Sequence, residues 1–197
     1  MNVLSRHPML VVFEGLDGAG KTTCARLVAE RLSAVYLTTP APEVREYRDD
    51  LIARYAGCQE AHQLFYLSTV FDASRRAAAL LADGRSVVVD RYFLSTQAYA
   101  AFRGSKLDID AVGGLLTPAH ATVFMDADLA VRRERLLGRG LSPADRETMS
   151  PAADARLREE HFARTGLGVV GRFIRVCSDV EDPEELARRI EAELLGP

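Results

Sequence analysis

The residues with the clearest chemical purpose lie at 15–22: Gly15-Leu16-Asp17-Gly18-Ala19-Gly20-Lys21-Thr22, which fits GxxxxGK[ST]. Glycines at this spacing let the chain turn tightly, so that successive N–H groups point into one concavity. A helix starting at the end of the loop would turn its positive pole to the same place. The pattern is that of a loop cradling nucleotide phosphates, with Lys21 reaching the β- and γ-phosphates and the Thr22 hydroxyl ligating Mg²⁺. Only Lys21 and Lys106 are lysines, so a lysine in this loop is no sample of a lysine-rich surface. Two further polar clusters also follow apolar runs: Asp90-Arg91-Tyr92 and Asp126.

These groups need elements to position them, and the hydrophobic pattern supplies strands and helices in alternation. Apolar runs at 9–13, 35–37, 86–89, 122–125 and 173–176 read as short buried strands. The stretch 21–32 has helical spacing, 43–82 is mostly helical with a break near Gly57, and 182–195 is an amphipathic helix capped by Asp182 with Pro183 in its first turn. Strands separated by helices predict an α/β fold, a five-stranded parallel sheet flanked by helices. In such sheets ligands bind beyond the carboxyl ends of the strands. The clusters at 14–22, 90–92 and 126 all begin there, and Asp126 reads as a strand-end helix cap.

Composition narrows the function. A length of 197 residues predicts one domain, 1–197. A net charge of -3 argues against a nucleic-acid polymer as partner, which would call for a basic surplus. The three cysteines form no CxxC and the four histidines no HExxH, so neither a disulfide framework nor a zinc site is expected. No apolar run approaches a membrane span, and the segment around Arg6 has no signal-peptide core, so the expectation is a cytoplasmic protein. GTPases usually carry [NT]KxD, which two lysines at 21 and 106 cannot supply, and motor ATPases are larger. A small-molecule kinase using ATP and Mg²⁺ fits best.

The run Phe-Glu-Gly-Leu-Asp-Gly-Ala-Gly-Lys-Thr-Thr at 13–23 closely resembles the opening of thymidylate kinases. Asp90-Arg91-Tyr92 with Ser95 and Ala98-Tyr99 resembles that family's DR[YH]xxSxxAY segment. Leu116-Thr117-Pro118 before the fourth strand is similar to its LxPD…LD run, and Arg132 to Gly140 with Asp145-Arg146 to its Arg-rich lid, here about 138–152. Cys177-Ser178-Asp179 stands where the family has its adenine-side loop. The resemblance implies ATP binding by Gly15, Gly18, Ala19, Gly20, Lys21, Thr22, Thr23 and Arg135. It implies Mg²⁺ at Thr22 and, through water, Asp90. Arg91 would clamp the acceptor phosphate, with Asp17 beside the acceptor sugar and Ser95 and Tyr99 on the acceptor side. Gly18 leaves no arginine within the loop, so Arg139 and Arg146 of the lid would steady the transferring group. A homodimer, paired through 43–82 and 95–102, is implied as well.

Two departures bear on the acceptor. The family's TREPGG is replaced by Thr38-Thr39-Pro40-Ala41-Pro42, leaving Arg45 or Arg48 to substitute for its arginine. The family's LFxADR, whose aromatic stacks on the base and whose arginine bonds its edge, is replaced by Leu64-Phe65-Tyr66-Leu67-Ser68-Thr69-Val70. Counting back from Asp90 puts Tyr66 at the stacking position and Val70 at the arginine position. A charged hydrogen bond of this kind is worth ~1.5–3 kcal/mol, so its loss demands a replacement or another base. These features are similar to the mitochondrial UMP/CMP kinase relatives. The expectation is transfer of the ATP γ-phosphate to a pyrimidine monophosphate, dTMP first. The alternatives are dUMP, dCMP, UMP, CMP or a modified relative, another small acceptor, and a non-catalytic nucleotide-binding regulator.

Overall fold

In a computed structural model, residues 7–196 are described; the segment around Arg6 lies outside them. Five strands, β1 (Leu10–Gly15), β2 (Val35–Thr38), β3 (Val87–Asp90), β4 (Ala121–Asp126) and β5 (Arg172–Cys177), form one sheet in the order β2-β3-β1-β4-β5. Every adjacent pair is parallel. The helices are α1 (Lys21–Arg31), α2 (Pro42–Arg54), α3 (Gln59–Ala82), α4 (Phe93–Phe102), α5 (Leu129–Arg139), α6 (Pro143–Glu147), α7 (Pro151–Phe162) and α8 (Pro183–Leu195). The expected sheet and its helical cover are both present, with strand ends shifted by a residue or two.

The sheet is buried on both faces, which is why its strands read as unbroken apolar runs. Alternation sorts them: Val11 and Phe13 of β1 pack with α1 and α8, through Val28 and Ile190. Leu10 and Val12 face the opposite layer, where Val70 and Ala73 of α3 and Phe93 of α4 close the core. The break expected near Gly57 separates α2 from α3, and Gly57 takes φ +83° there. Asp182 caps α8 as expected, accepting from the Glu184 N–H at 2.9 Å, with Pro183 in the first turn.

β1 is the central strand and runs straight into the phosphate loop, whose helix α1 begins at Lys21. At Gly15, with φ +132°, a β-carbon would lie 2.3 Å from the Met125 carbonyl oxygen. Only glycine lets the chain leave β1 against β4 in this way. The loop therefore sits at the carboxyl edge of the sheet between the ends of β3 and β4, where Asp90 and Asp126 emerge.

Candidate active site

A cavity of about 640 Å³ opens along this edge, from the phosphate loop to the wall made by α3 and α4. At one end Lys21 is buried, its Nζ donating to the Leu16 carbonyl at 2.7 Å. Burial, helped by the Arg91 charge, pulls its ammonium down to about 7. Next to it the Thr22 hydroxyl donates to Asp90 Oδ2 at 2.6 Å, and Tyr36 donates to the same oxygen at 3.1 Å. Asp90 Oδ1 is buried and has no partner among the described residues. A hydroxyl beside a carboxylate with one idle oxygen suits a hard cation that keeps most of its other ligands from water and phosphate. Mg²⁺ fits this pair.

Arg91, the residue after β3, has φ 68°, a left-handed conformation rare for a non-glycine. Glu14 holds it there. Its side chain is fully buried at the end of β1 and accepts from the Tyr92 N–H at 3.0 Å, the Ser95 N–H at 3.2 Å and the Ser95 hydroxyl. It thus caps α4, whose own N-cap Tyr92 offers no side-chain bond. Burial pushes the Glu14 carboxyl up, opposed by these donors and by Arg91.

So aimed, Arg91 pairs with Asp17 of the loop and donates to the Ser95 hydroxyl at 3.2 Å. Tyr99 donates to the other Asp17 oxygen at 2.6 Å. Burial works to raise the Asp17 carboxyl, but Arg91, Lys21 and the Tyr99 bond outweigh it and hold it well below the usual carboxylate range. Burial and the Asp17 charge push the Tyr99 phenol far up, so it stays a donor. Asp17, Arg91, Ser95 and Tyr99, singled out from the sequence, are thus one hydrogen-bonded group, and the Lys21 charge acts on its Asp17.

The outer residues divide. Arg135 lines the cavity and donates to the Gly18 carbonyl at 3.4 Å and the Ser178 carbonyl at 2.5 Å, and Ser178 itself ties the 177–179 segment to the phosphate loop by donating to the Ala19 carbonyl at 2.9 Å. Arg139, at the end of α5, also lines the cavity and bonds Asp145 of α6 at 2.9 Å. Arg146 is exposed on α6, off the cavity wall. Arg45 and Arg48 of α2 line the cavity; Arg45 is held by the Thr38 hydroxyl at 2.6 Å and Arg48 by Asp49 at 2.9 Å. Tyr66 lines it from α3, whereas Val70 is wholly buried in the core.

Two expectations need correction. Arg132 is no lid residue: it is fully buried beneath the loop, donates from Nε to the Asp17 carbonyl at 2.7 Å and pairs with Asp154 of α7. Asp126 is no helix cap: Arg158 and Arg175 pair with its carboxylate, and Asp128 precedes α5 instead. Glu14 caps α4 and Arg103 lines the cavity, roles that no motif marks. The first was signalled by a carboxylate inside an apolar strand. The second, four residues after Tyr99, was signalled by helical spacing that puts both on one face.

Strand, phosphate loop and helix, an acid at the end of β3 and an arginine-lined cleft together define a P-loop nucleoside monophosphate kinase. The chain belongs to the thymidylate kinase family, whose model matches residues 13–164. It is 31% identical over 217 residues to a probable thymidylate kinase of Halorubrum lacusprofundi, covering 95% of this chain and 100% of that one. It is 32% identical over 132 residues to a probable thymidylate kinase of Metallosphaera sedula, spanning 64% of this chain and 65% of the relative. The crystal structure of thymidylate kinase from Ehrlichia chaffeensis superposes with a TM-score of 0.69 at 21% identity, over 95% of this chain and 98% of that one, which shows the shared fold.

Proposed function

We propose that this chain transfers the γ-phosphate of ATP, with Mg²⁺, to dTMP. The observation that carries the reading is Arg91, paired with Asp17 of the phosphate loop and lining the same cavity as Lys21 and Thr22. A nucleotide-binding regulator has no need of a second anion clamp beside the first. Phosphoryl transfer does, because it depends on aligning two phosphorylated groups and stabilising charge on the equatorial oxygens.

In this reading the loop N–H groups and Lys21 hold the ATP phosphates, and Arg135 borders the nucleoside side. Thr22 and Asp90 would hold Mg²⁺, which when bound supplies charge neutralisation at the β- and γ-oxygens. Arg91 exchanges part of its Asp17 contact for the acceptor phosphate, and Asp17 turns toward the sugar. Segment 138–152 acts as the lid: Arg139 is brought to the transferring group while water is excluded, which suppresses wasteful ATP hydrolysis. Thymine as the acceptor base is supported by the names of the relatives and by Tyr66 on the base-side wall. Two copies pairing through α3, which exposes Leu64 and Phe71, and a cytoplasmic location belong to the same reading. Among the described residues no helix is long and apolar enough to cross a membrane.

The test is a coupled ADP-release assay with Mg-ATP against dTMP, dUMP, dCMP, UMP, CMP and thymidine. Preference for dTMP is expected. Turnover confined to another monophosphate overturns the choice of base, and turnover of thymidine alone overturns Arg91 as a phosphate clamp.

A further inference from the structure

The family pattern expects an arginine on α3 to read the base, and this chain buries Val70 at that position. A charged donor is nevertheless present at the end of α4, which packs beside α3 through the Gln63–Gln97 hydrogen bond at 2.7 Å. Arg103, the residue that ends α4, lines the same cavity as Tyr66, with its side chain 21% exposed. Its Nε and Nη2 are both engaged by Glu147 of α6, at 3.1 Å for Nε, and Nη1 makes no hydrogen bond among the described residues. Its guanidinium carbon lies 5.5 Å from the Tyr99 ring centroid, and that of Arg91 lies 5.5 Å from the same centroid. Both guanidinium groups therefore lie close enough to Tyr99 to meet one nucleotide bound against it.

We propose that Arg103 reads a carbonyl edge of the acceptor base in place of an arginine from α3, while Arg91 holds the acceptor phosphate. This rests on the reading of the chain as a dTMP kinase. The chemistry sets the preference: a guanidinium only donates. Thymine and uracil offer carbonyl oxygens at positions 2 and 4, whereas cytosine turns an amino donor toward a donor at position 4. Glu147 positions the fork, and because it belongs to the lid it ties the base end of the cleft to closure. Gln59 of α3 lines the same cavity, and its Oε1 is a buried acceptor without a partner among the described residues, suited to an N3–H donor.

Steady-state kinetics with dTMP, dUMP and dCMP at saturating Mg-ATP test the proposal in the full-length wild type, Arg103→Met, Arg103→Lys and Glu147→Gln, with thermal melts to confirm folding. Loss of one charged hydrogen bond predicts a fall in kcat/KM for dTMP of about tenfold to a hundredfold in Arg103→Met, carried mainly by KM. The dTMP-to-dCMP preference should shrink by a similar factor, while KM for ATP stays within about twofold by the near-independence of well-separated sites. Arg103→Lys keeps the charge without the fork and should fall between, as should Glu147→Gln. A folded Arg103→Met or Arg103→Lys enzyme with the wild-type dTMP-to-dCMP ratio overturns the role of Arg103 and leaves the dTMP reading intact. A wild type that prefers dCMP, or uses no pyrimidine monophosphate, overturns both.

Discussion

Removing one partner of the ion pair beneath the phosphate loop should cost far more than removing the other, because only one would leave a buried charge alone. Arg132 is fully buried, its Nη2 finds no acceptor, and its charge is met by Asp154 and the Asp17 carbonyl. Burial pulls its guanidinium below the ordinary arginine range, against the Asp154 charge. Asp154 has 15% of its side chain exposed and a second cation, Arg158, at 2.9 Å. Asp154→Ala strands a guanidinium in the core, a class of change that costs about 3–5 kcal/mol. Arg132→Met replaces the cation by an apolar chain of similar length and leaves Asp154 paired. Its main cost is the Asp17 carbonyl left without a donor, about 1–3 kcal/mol. A chain of this size loses about 2–4 °C of melting temperature per kcal/mol. Asp154→Ala should therefore melt about 6–20 °C lower and Arg132→Met about 2–12 °C lower. Thermal unfolding followed by circular dichroism measures both. If Arg132→Met proves the more damaging, the buried charge is not the dominant cost and the reasoning fails. The kinetic signature runs the other way: Arg132→Met, which frees the Asp17 carbonyl, should raise KM for ATP more than its stability loss suggests.

Two further perturbations address the catalytic end. Burial pulls Lys21 down to about 7 in the free protein, and nucleotide phosphates favour its charged form, so ATP binding should take up a proton above that pH and none well below it. Calorimetry at pH 8 in buffers of different ionisation enthalpy should show the uptake, and it should vanish at pH 6 and in Lys21→Met; buffer-independent heats at pH 8 would contradict the buried, depressed lysine. Asp90→Asn removes the idle carboxylate oxygen beside Thr22, so the Mg²⁺ needed for half-maximal rate should rise at least about tenfold for loss of one charged ligand, with little change in melting temperature. An unchanged Mg²⁺ requirement would remove Asp90 from the metal site.

The parts of this molecule that could be read from its residues are those in which one local pattern suffices. The five strands announce themselves because a sheet covered on both faces turns each into an apolar run. The phosphate loop announces itself because glycine spacing and backbone geometry are the same fact. What stayed hidden depends on distance along the chain. Glu14 and Tyr92 are 78 residues apart, and Arg132 reaches Asp17 across 115. No periodicity reports that a strand-end carboxylate will cap a helix on another element, or that one arginine of α5 turns inward while Arg135 and Arg139 of the same helix face the cleft. At Val70 the motif registers only a missing charge, since the count along α3 says nothing about what the end of α4 presents to the same cavity. In the proposal above, Arg103 supplies it. A binding site fixes the position of a donor relative to its ligand and is indifferent to which helix carries it. Loss of a motif residue therefore predicts loss of function only after the other elements lining the site have been searched for the same chemistry.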